Sequence, residues 1–316
     1  MAAVHALLLV AQIVVPLAFL AWLWFSTGRS CSGALLRLFM TTAYLVAIAL
    51  AGLWLIVPWP LTILYFAILA MQAYPIGRRV QSLPRWPQRR VAWFGLALNG
   101  LMAIAFVGLA GTAIRARWPP QEQIVDLEFP LHDGTYLVAN GGGSDLINAH
   151  VQTLTAPRFR DYRGQSYGVD IVEVNSLGMR APGLVPRDPR AYAIFGEPIH
   201  APCSGVVLRA EDGYPDMPPP QPDREHLPGN FVFMECGGVH VLLGHMERGT
   251  VQVRSGQHVH AGAVLGNVGN SGNTNEPHLH IHAQRPATDD AFLSGDPLPI
   301  RMNGRFLVRN DRVQRP

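Results

Sequence analysis

The stretch Pro277-His278-Leu279-His280-Ile281-His282 decides how the second half of this chain is read. Histidine alternates with large apolar residues, which is the period of an extended strand whose successive side chains point to opposite faces. The three imidazoles then share one face in steps of about 7 Å, while Leu279 and Ile281 face a core. A merely solvated face has no need of three imidazoles in a row. Neutral imidazole is a common metal ligand and the side chain that titrates closest to neutral pH, so the stretch points to a metal or acid–base site.

Working outward, short Val/Ile/Leu/Phe runs at 204–209, 231–235 and 239–243 are separated by Gly, Pro, Asn and Asp. That is the pattern of strands and turns, and no stretch after about residue 121 keeps a helical period beyond two turns. Two more candidates stand at such strands. His245 ends the apolar run Val241-Leu242-Leu243-Gly244-His245-Met246, and Asp170 is embedded in Tyr167-Gly168-Val169-Asp170-Ile171-Val172. An acid among apolar strand residues must be paired, protonated or metal-bound. His258 and His260 flank Val259 in what reads as an exposed hairpin, and solvated side chains suffice there. Residues 212–230, rich in proline, read as a surface excursion. Cys203 and Cys236 both fall in expected strands, and either a disulfide between them or two unpaired core thiols fits. The region is expected to be an all-β antiparallel domain.

The first part of the chain is different in kind. Residues 1–121 hold nine Arg and no Asp or Glu, about +9; the rest holds sixteen Arg against twenty-two acids, about −6, and together they give the net +3. Such an asymmetry excludes one soluble domain. Apolar runs at 6–25, 38–57 and 91–114 are long enough to span a bilayer, and a shorter run at 59–76 follows Pro58 and Pro60. Arg29 and Arg37 follow the first run; Arg78, Arg79, Arg85, Arg89 and Arg90 follow the third. With four crossings both arginine-bearing breaks fall on the cytoplasmic side, and everything after about residue 118 lies outside. The basic charge is thus a membrane signature and not a nucleic-acid footprint. The expected organisation is an all-α four-helix transmembrane anchor at 1–118, a linker at 119–135, the β-domain at 136–300 and a tail at 301–316.

Several blocks of the second half, in order, resemble the lysostaphin/LytM-type peptidoglycan metalloendopeptidases. They are Gly196-Glu197-Pro198-Ile199-His200-Ala201-Pro202-Cys203-Ser204-Gly205, Gly229-Asn230-Phe231-Val232, Gly244-His245-Met246, Gly256-Gln257-His258-Val259-His260-Ala261-Gly262 and Gly269-Asn270-Ser271-Gly272, followed by Pro277-His278-Leu279-His280. The resemblance covers roughly residues 160–285. It implies the compact antiparallel fold called the duplicated hybrid motif and one zinc ion (Zn2+) per chain that serves cleavage of peptide cross-bridges or stems in bacterial cell wall. By position it makes Asp170 and His280 zinc ligands and His245 and His278 the catalytic pair.

The chain departs from the family where a His-x-x-x-Asp pair is expected, because Ser166 stands four residues before Asp170. Catalytic zinc normally takes three protein ligands and leaves one position open. His150, in Asn148-Ala149-His150, is the first choice to complete the set, and His282 the second. Otherwise the site has lost zinc, and the domain binds cell wall or activates a separate hydrolase. The leading expectation is a multi-pass inner-membrane zinc endopeptidase with its catalytic domain in the periplasm. Its partners would be peptidoglycan peptide and membrane lipid, a protein regulator is left open, and no nucleic acid is expected.

Overall fold

The computed structural model describes residues 2–26, 29–120, 123–288 and 291–315, so positions 1, 27–28, 121–122, 289–290 and 316 of the expected segments lie outside the described residues. Two units divide the chain, Met1–Arg115 and Ala116–Pro316.

Among the described residues, four helical stretches of the first unit are long and apolar enough to cross a membrane: Ala6–Phe25, Cys31–Ala51, Pro60–Val80 and Arg90–Arg115. The first combines α1 (Ala2–Leu9), a π-helical turn at Val10–Val14 and α2 (Val15–Phe25); the others are α3 (Cys31–Ala51), α4 (Pro60–Val80) and α5 (Arg90–Arg115). Pro16 accounts for much of the interruption. It has no N–H to give the Gln12 carbonyl in α geometry or the Ala11 carbonyl in π geometry. Tyr65 and Tyr44 supply the missing donors, with hydroxyls at 2.8 Å from Gln12 O and 2.6 Å from Ala11 O. Buried backbone without water needs such replacements.

Two spans differ from the sequence expectation. The run at 38–57 is not one helix, because α3 begins at Cys31, capped by Ser30, and stops at Ala51. Residues 52–59 turn instead, and Trp54 and Val57 there fill the bundle core. The third span is longer than the 59–76 run suggested, at 21 residues. The amides of Cys31 and Ser32 donate to the carbonyls of Pro84 and Arg85, so the two arginine-bearing connections meet at one end of the bundle.

The second unit is an antiparallel β-domain. Its strands are β1 (Val125–Leu127), β2 (Gly134–Asn140), β3 (Val169–Glu173), β4 (Pro198–His200), β5 (Gly205–Glu211), β6 (Asn230–Cys236), β7 (Val239–Met246), β8 (His258–Val259), β9 (Val264–Asn267), β10 (Leu279–Gln284), β11 (Pro297–Leu298), β12 (Ile300–Met302) and β13 (Arg312–Arg315). Among the described residues nine of them form one sheet in the order β13-β2-β3-β10-β7-β6-β5-β8, with β11 also on β10. β1 and β12 pair in parallel, and β4 pairs with β9. The stretch read as a linker therefore contributes β1, and the stretch read as a tail contributes β13 at the edge of the main sheet. Neither short strand has a local signature; each is made by a partner far away in sequence.

β10 lies inside the sheet, between β3 and β7. Leu279, Ile281 and Ala283 enter the main core with Val169 and Ile171 of β3 and Val241 and Leu243 of β7. His280, His282 and Gln284 occupy the opposite face and are also buried. Cys203 and Cys236 are joined as a disulfide. Cys203 sits just before β5 rather than within a strand, while Cys236 closes β6.

Candidate metal and catalytic site

Asp170 and His280 are register partners on β3 and β10, so their side chains share a face. His280 Nδ1 lies 2.8 Å from Asp170 Oδ1. Gly244 is the partner of His280 on its other side. Gly168 leaves the imidazole room: a Cβ there would sit 2.8 Å from His280 Cε1.

His150 reaches the same carboxylate from a different segment. It lies in the 3-10 turn Ala149–Val151, which Asn148 caps. The Asn148 amide donates to the carbonyls of Gly142 and Gly168, which fixes its oxygen as an acceptor. That oxygen takes the His150 backbone N–H at 3.2 Å and lies 3.0 Å from His150 Nδ1. The ring proton is thereby placed on Nδ1, and the unprotonated Nε2 stands 3.6 Å from Asp170 Oδ2.

The same arrangement recurs at two further histidines. His245 Nδ1 faces the Ser271 carbonyl at 2.8 Å, and His278 Nδ1 faces the Glu276 carbonyl at 2.8 Å. A carbonyl only accepts, so both rings carry a proton on Nδ1 and turn Nε2 toward the site. His278 Nε2 is 3.5 Å from Asp170 Oδ1, and the rings of His245 and His278 meet edge to face at 4.8 Å. His245 has φ of 63°, a left-handed conformation that is uncommon outside glycine and asparagine. This strain turns the ring in at the strand end.

The electrostatics follow the packing. Burial disfavours the charged form of every histidine here. It pushes the His150 pKa down to about 4 and the His245 pKa well below the ordinary value. At His278 burial is outweighed by the Asp170 charge, the bond to that carboxylate and the Glu276 carbonyl, so its pKa moves up. Asp170 is buried too, yet the adjacent His150 and His278 and the hydrogen bonds from His278 and His280 hold it well below the usual carboxylate range.

Ser166 does not enter the site. It is fully buried, and its hydroxyl contacts Thr153 Oγ1 at 2.8 Å and the Arg163 carbonyl at 2.7 Å. Thr153 Oγ1 in turn lies 2.8 Å from the His150 carbonyl. Two hydroxyl protons shared over these contacts brace the segment that presents His150. His282 is not beside Asp170 either; it stands behind His280, Nδ1 to Nε2, at 2.9 Å.

Four residues that sequence reasoning missed support the site. Asn140 donates to Asp170 Oδ2 at 2.9 Å, and its oxygen accepts from Arg309 Nη2 at 2.9 Å. Arg309 also holds the carbonyls of Ala139 and Leu146, and burial lowers its pKa to about 10. Arg180 grips Glu276 beside His278. No local pattern marks any of these, since each acts across a long sequence separation. The turn at 269–273 is held in place: Asn270 and Ser271 are fully buried and Asn270 N–H donates to Asp216 at 2.6 Å. His226 pairs with Asp223, His240 lies against Phe233, and His258 is exposed, all outside the cluster.

The donor set suits zinc. The ligand atoms of His150, Asp170 and His280 lie within 4.8 Å of one another. Zinc bonded at 2.0–2.1 Å in a tetrahedron separates its ligand atoms by roughly 3.4 Å, so little movement is required.

A search of the curated proteins finds no match. The model of peptidase family M23 matches residues 191–291, which include His245, His278 and His280 but end short of Asp170 and His150 on the N-terminal side. Among solved structures, a peptidase M23 candidate from Pseudomonas aeruginosa shows 22% identity and a TM-score of 0.29, covering 60% of this chain and 60% of that one. The catalytic domain of lysostaphin from Staphylococcus simulans shows 20% identity and a TM-score of 0.26, over 40% of this chain and 71% of that one. A zinc-containing peptidase from Vibrio cholerae shows 18% identity and a TM-score of 0.24, over 42% and 50%. The chain thus spans 60% of the length of the first of these. Residues 191–291 carry the peptidase family M23 match, and it is this that ties the β-domain to the lysostaphin/LytM type.

Proposed function

We propose that the chain is a membrane-anchored zinc endopeptidase that hydrolyses peptide bonds of bacterial peptidoglycan. The observation that carries the reading is the convergence of His150, Asp170 and His280 beside His245 and His278, in a domain matched by the M23 family. His150 takes the place that Ser166 leaves vacant, and Asp170 and His280 complete the set.

A zinc ion held there would supply Lewis acidity for polarising the scissile carbonyl and acidifying water. The chain's own residues do the rest. His245, kept neutral by burial, offers Nε2 as a proton acceptor. His278, whose protonated form is favoured by Asp170, is suited to stabilise negative charge developing on the substrate oxygen. Asn140 and Asn148 hold the carboxylate and the His150 ring in place, as outer-shell partners of a metal site do.

The four apolar helices support an inner-membrane anchor. Meeting of both arginine-bearing connections at one end supports a cytoplasmic placement for that end and a periplasmic β-domain. The disulfide suits the same oxidising compartment. The test is zinc content of the purified chain together with release of peptide from purified peptidoglycan. About one zinc per chain, lost in His150→Ala, with hydrolysis abolished in His278→Ala, is expected. Absence of bound zinc even when it is supplied would overturn the reading in favour of a wall-binding or hydrolase-activating domain.

A further inference from the structure

His280 is the exception among the site's imidazoles. His150, His245 and His278 each give Nδ1 to an oxygen and keep Nε2 for the site, whereas His280 turns Nδ1 toward Asp170 and Nε2 toward His282. We propose that His282 is a positioning residue which, backed by Gln284, selects the His280 tautomer that leaves Nδ1 free to ligate a metal. This rests on the metal-site reading above.

A ligating nitrogen needs its lone pair, so His280 must then carry its proton on Nε2. His280 is only 5% exposed, and the acceptor facing that nitrogen is His282 Nδ1 at 2.9 Å. For Nδ1 to accept, His282 must hold its own proton on Nε2. That atom is buried and makes no hydrogen bond in this arrangement. Gln284 Oε1 is buried and unbonded as well, two positions further along the same face of β10. The Gln284 amide is oriented by its Nε2, which donates to the Phe292 carbonyl at 2.7 Å, so the oxygen is the end left to accept. Gly164 packs on that oxygen, where a Cβ would overlap it.

Two proton arrangements are therefore in balance, with one proton on each ring in both. In one, His280 Nδ1–H donates to Asp170 and His282 Nδ1–H donates to His280 Nε2. Asp170 is satisfied, but His282 Nε2 and Gln284 Oε1 are then both left as buried acceptors without a donor, which is costly. In the other, His280 Nε2–H donates to His282 Nδ1, and His282 Nε2–H donates to Gln284 Oε1. Every proton behind the site finds an acceptor, and His280 Nδ1 is left with a lone pair beside the Asp170 carboxylate. That second arrangement is the one a cation satisfies. β10 makes the chain possible, because its alternate positions place His280, His282 and Gln284 in a row on one face.

The experiment is titration of the purified full-length chain with cobalt(II) and zinc, by chelator competition and by the cobalt(II) visible spectrum. His282→Leu, which removes the acceptor, should weaken binding by about 10–100-fold. His282→Asn, which offers an oxygen near the Nδ1 position, should recover most of that loss and the unaltered spectrum. Gln284→Met should weaken binding in the same direction, and it provides the readout if His282→Leu does not fold. Unchanged affinity in both His282→Leu and Gln284→Met would overturn the proposal, as would equal loss in His282→Leu and His282→Asn, which marks packing alone. If the unaltered chain binds neither ion, or if binding survives Asp170→Ala, the metal-site reading itself fails and this proposal falls with it.

Discussion

Replacing Arg180 by methionine should destabilise the β-domain far more than loss of a surface ion pair would. Arg180 is only 3% exposed, and its Nε lies 2.8 and 2.9 Å from the two Glu276 carboxylate oxygens. Its Nη2 lies 2.7 Å from Oε2 and donates to the Leu184 carbonyl at 2.8 Å. The Glu276 side chain is 16% exposed, so methionine at 180 strands a carboxylate where water reaches it poorly. Breaking a buried pair from one side costs about 3–5 kcal/mol, about two to four decades in the folding equilibrium. The companion Glu276→Gln should remove most of that cost, because no charge is then left unpaired. The Glu276 carbonyl also receives His278 Nδ1, so the single variant should lose wall hydrolysis while keeping metal. The assay is a double-mutant cycle by urea unfolding of the detergent-solubilised chain, with zinc content measured in parallel. A cost below about 1 kcal/mol for Arg180→Met, the range of exposed pairs, would refute the argument, and so would additive single costs.

Acid should destabilise the metal-free chain. His150, His245 and His282 have folded pKa values lowered by burial, so the unfolded chain binds more protons than the folded one below about pH 6.5. Their contribution is present above that pH and is lost as pH falls toward 4; His278, shifted upward, offsets part of it, and urea midpoints at pH 7.5 and 5 measure the balance. Removing the disulfide by Cys203→Ala with Cys236→Ala, across a separation of 33 residues, should cost about 3–4 kcal/mol in the same unfolding assay; under 1 kcal/mol would show a bridge of no consequence. Gly168→Ala should reduce zinc affinity, because its Cβ would sit 2.8 Å from His280 Cε1 and 2.9 Å from the Gln165 carbonyl; unchanged affinity would mean that the loop yields without moving the imidazole.

Much of the β-domain is legible in local pattern. Alternation at 277–282 marks a strand with one apolar and one imidazole face, and Asp170 among valine and isoleucine marks the neighbouring strand. The register that sets Asp170 opposite His280 cannot be read locally, because it depends on partners 110 residues apart. Asn140 and Arg309 illustrate the same limit. Each looks like an ordinary polar residue, and only the meeting of β2 with the C-terminal segment shows that they hold Asp170. In the first unit, apolarity alone cannot separate a spanning helix from a turn folded into the bundle. Trp54 and Val57 are as apolar as any membrane residue, yet they lie in turns. Proline was the better guide, since Pro58 and Pro60 bracket the true start of α4 and Pro16 marks the π-helical turn.

The interior position of β10 has a consequence for when the site can exist. Asp170 and His150 leave the ribosome more than a hundred residues before His280, and the strand that separates β3 from β7 is among the last of the sheet to be made. Until it inserts, β3 and β7 have no shared neighbour, and the carboxylate has no imidazole from that strand across from it. A chain interrupted anywhere before residue 278 therefore carries none of the β10 histidines and cannot assemble the centre. On the proposed reading, a hydrolase built in this order stays inert until its last strands are made.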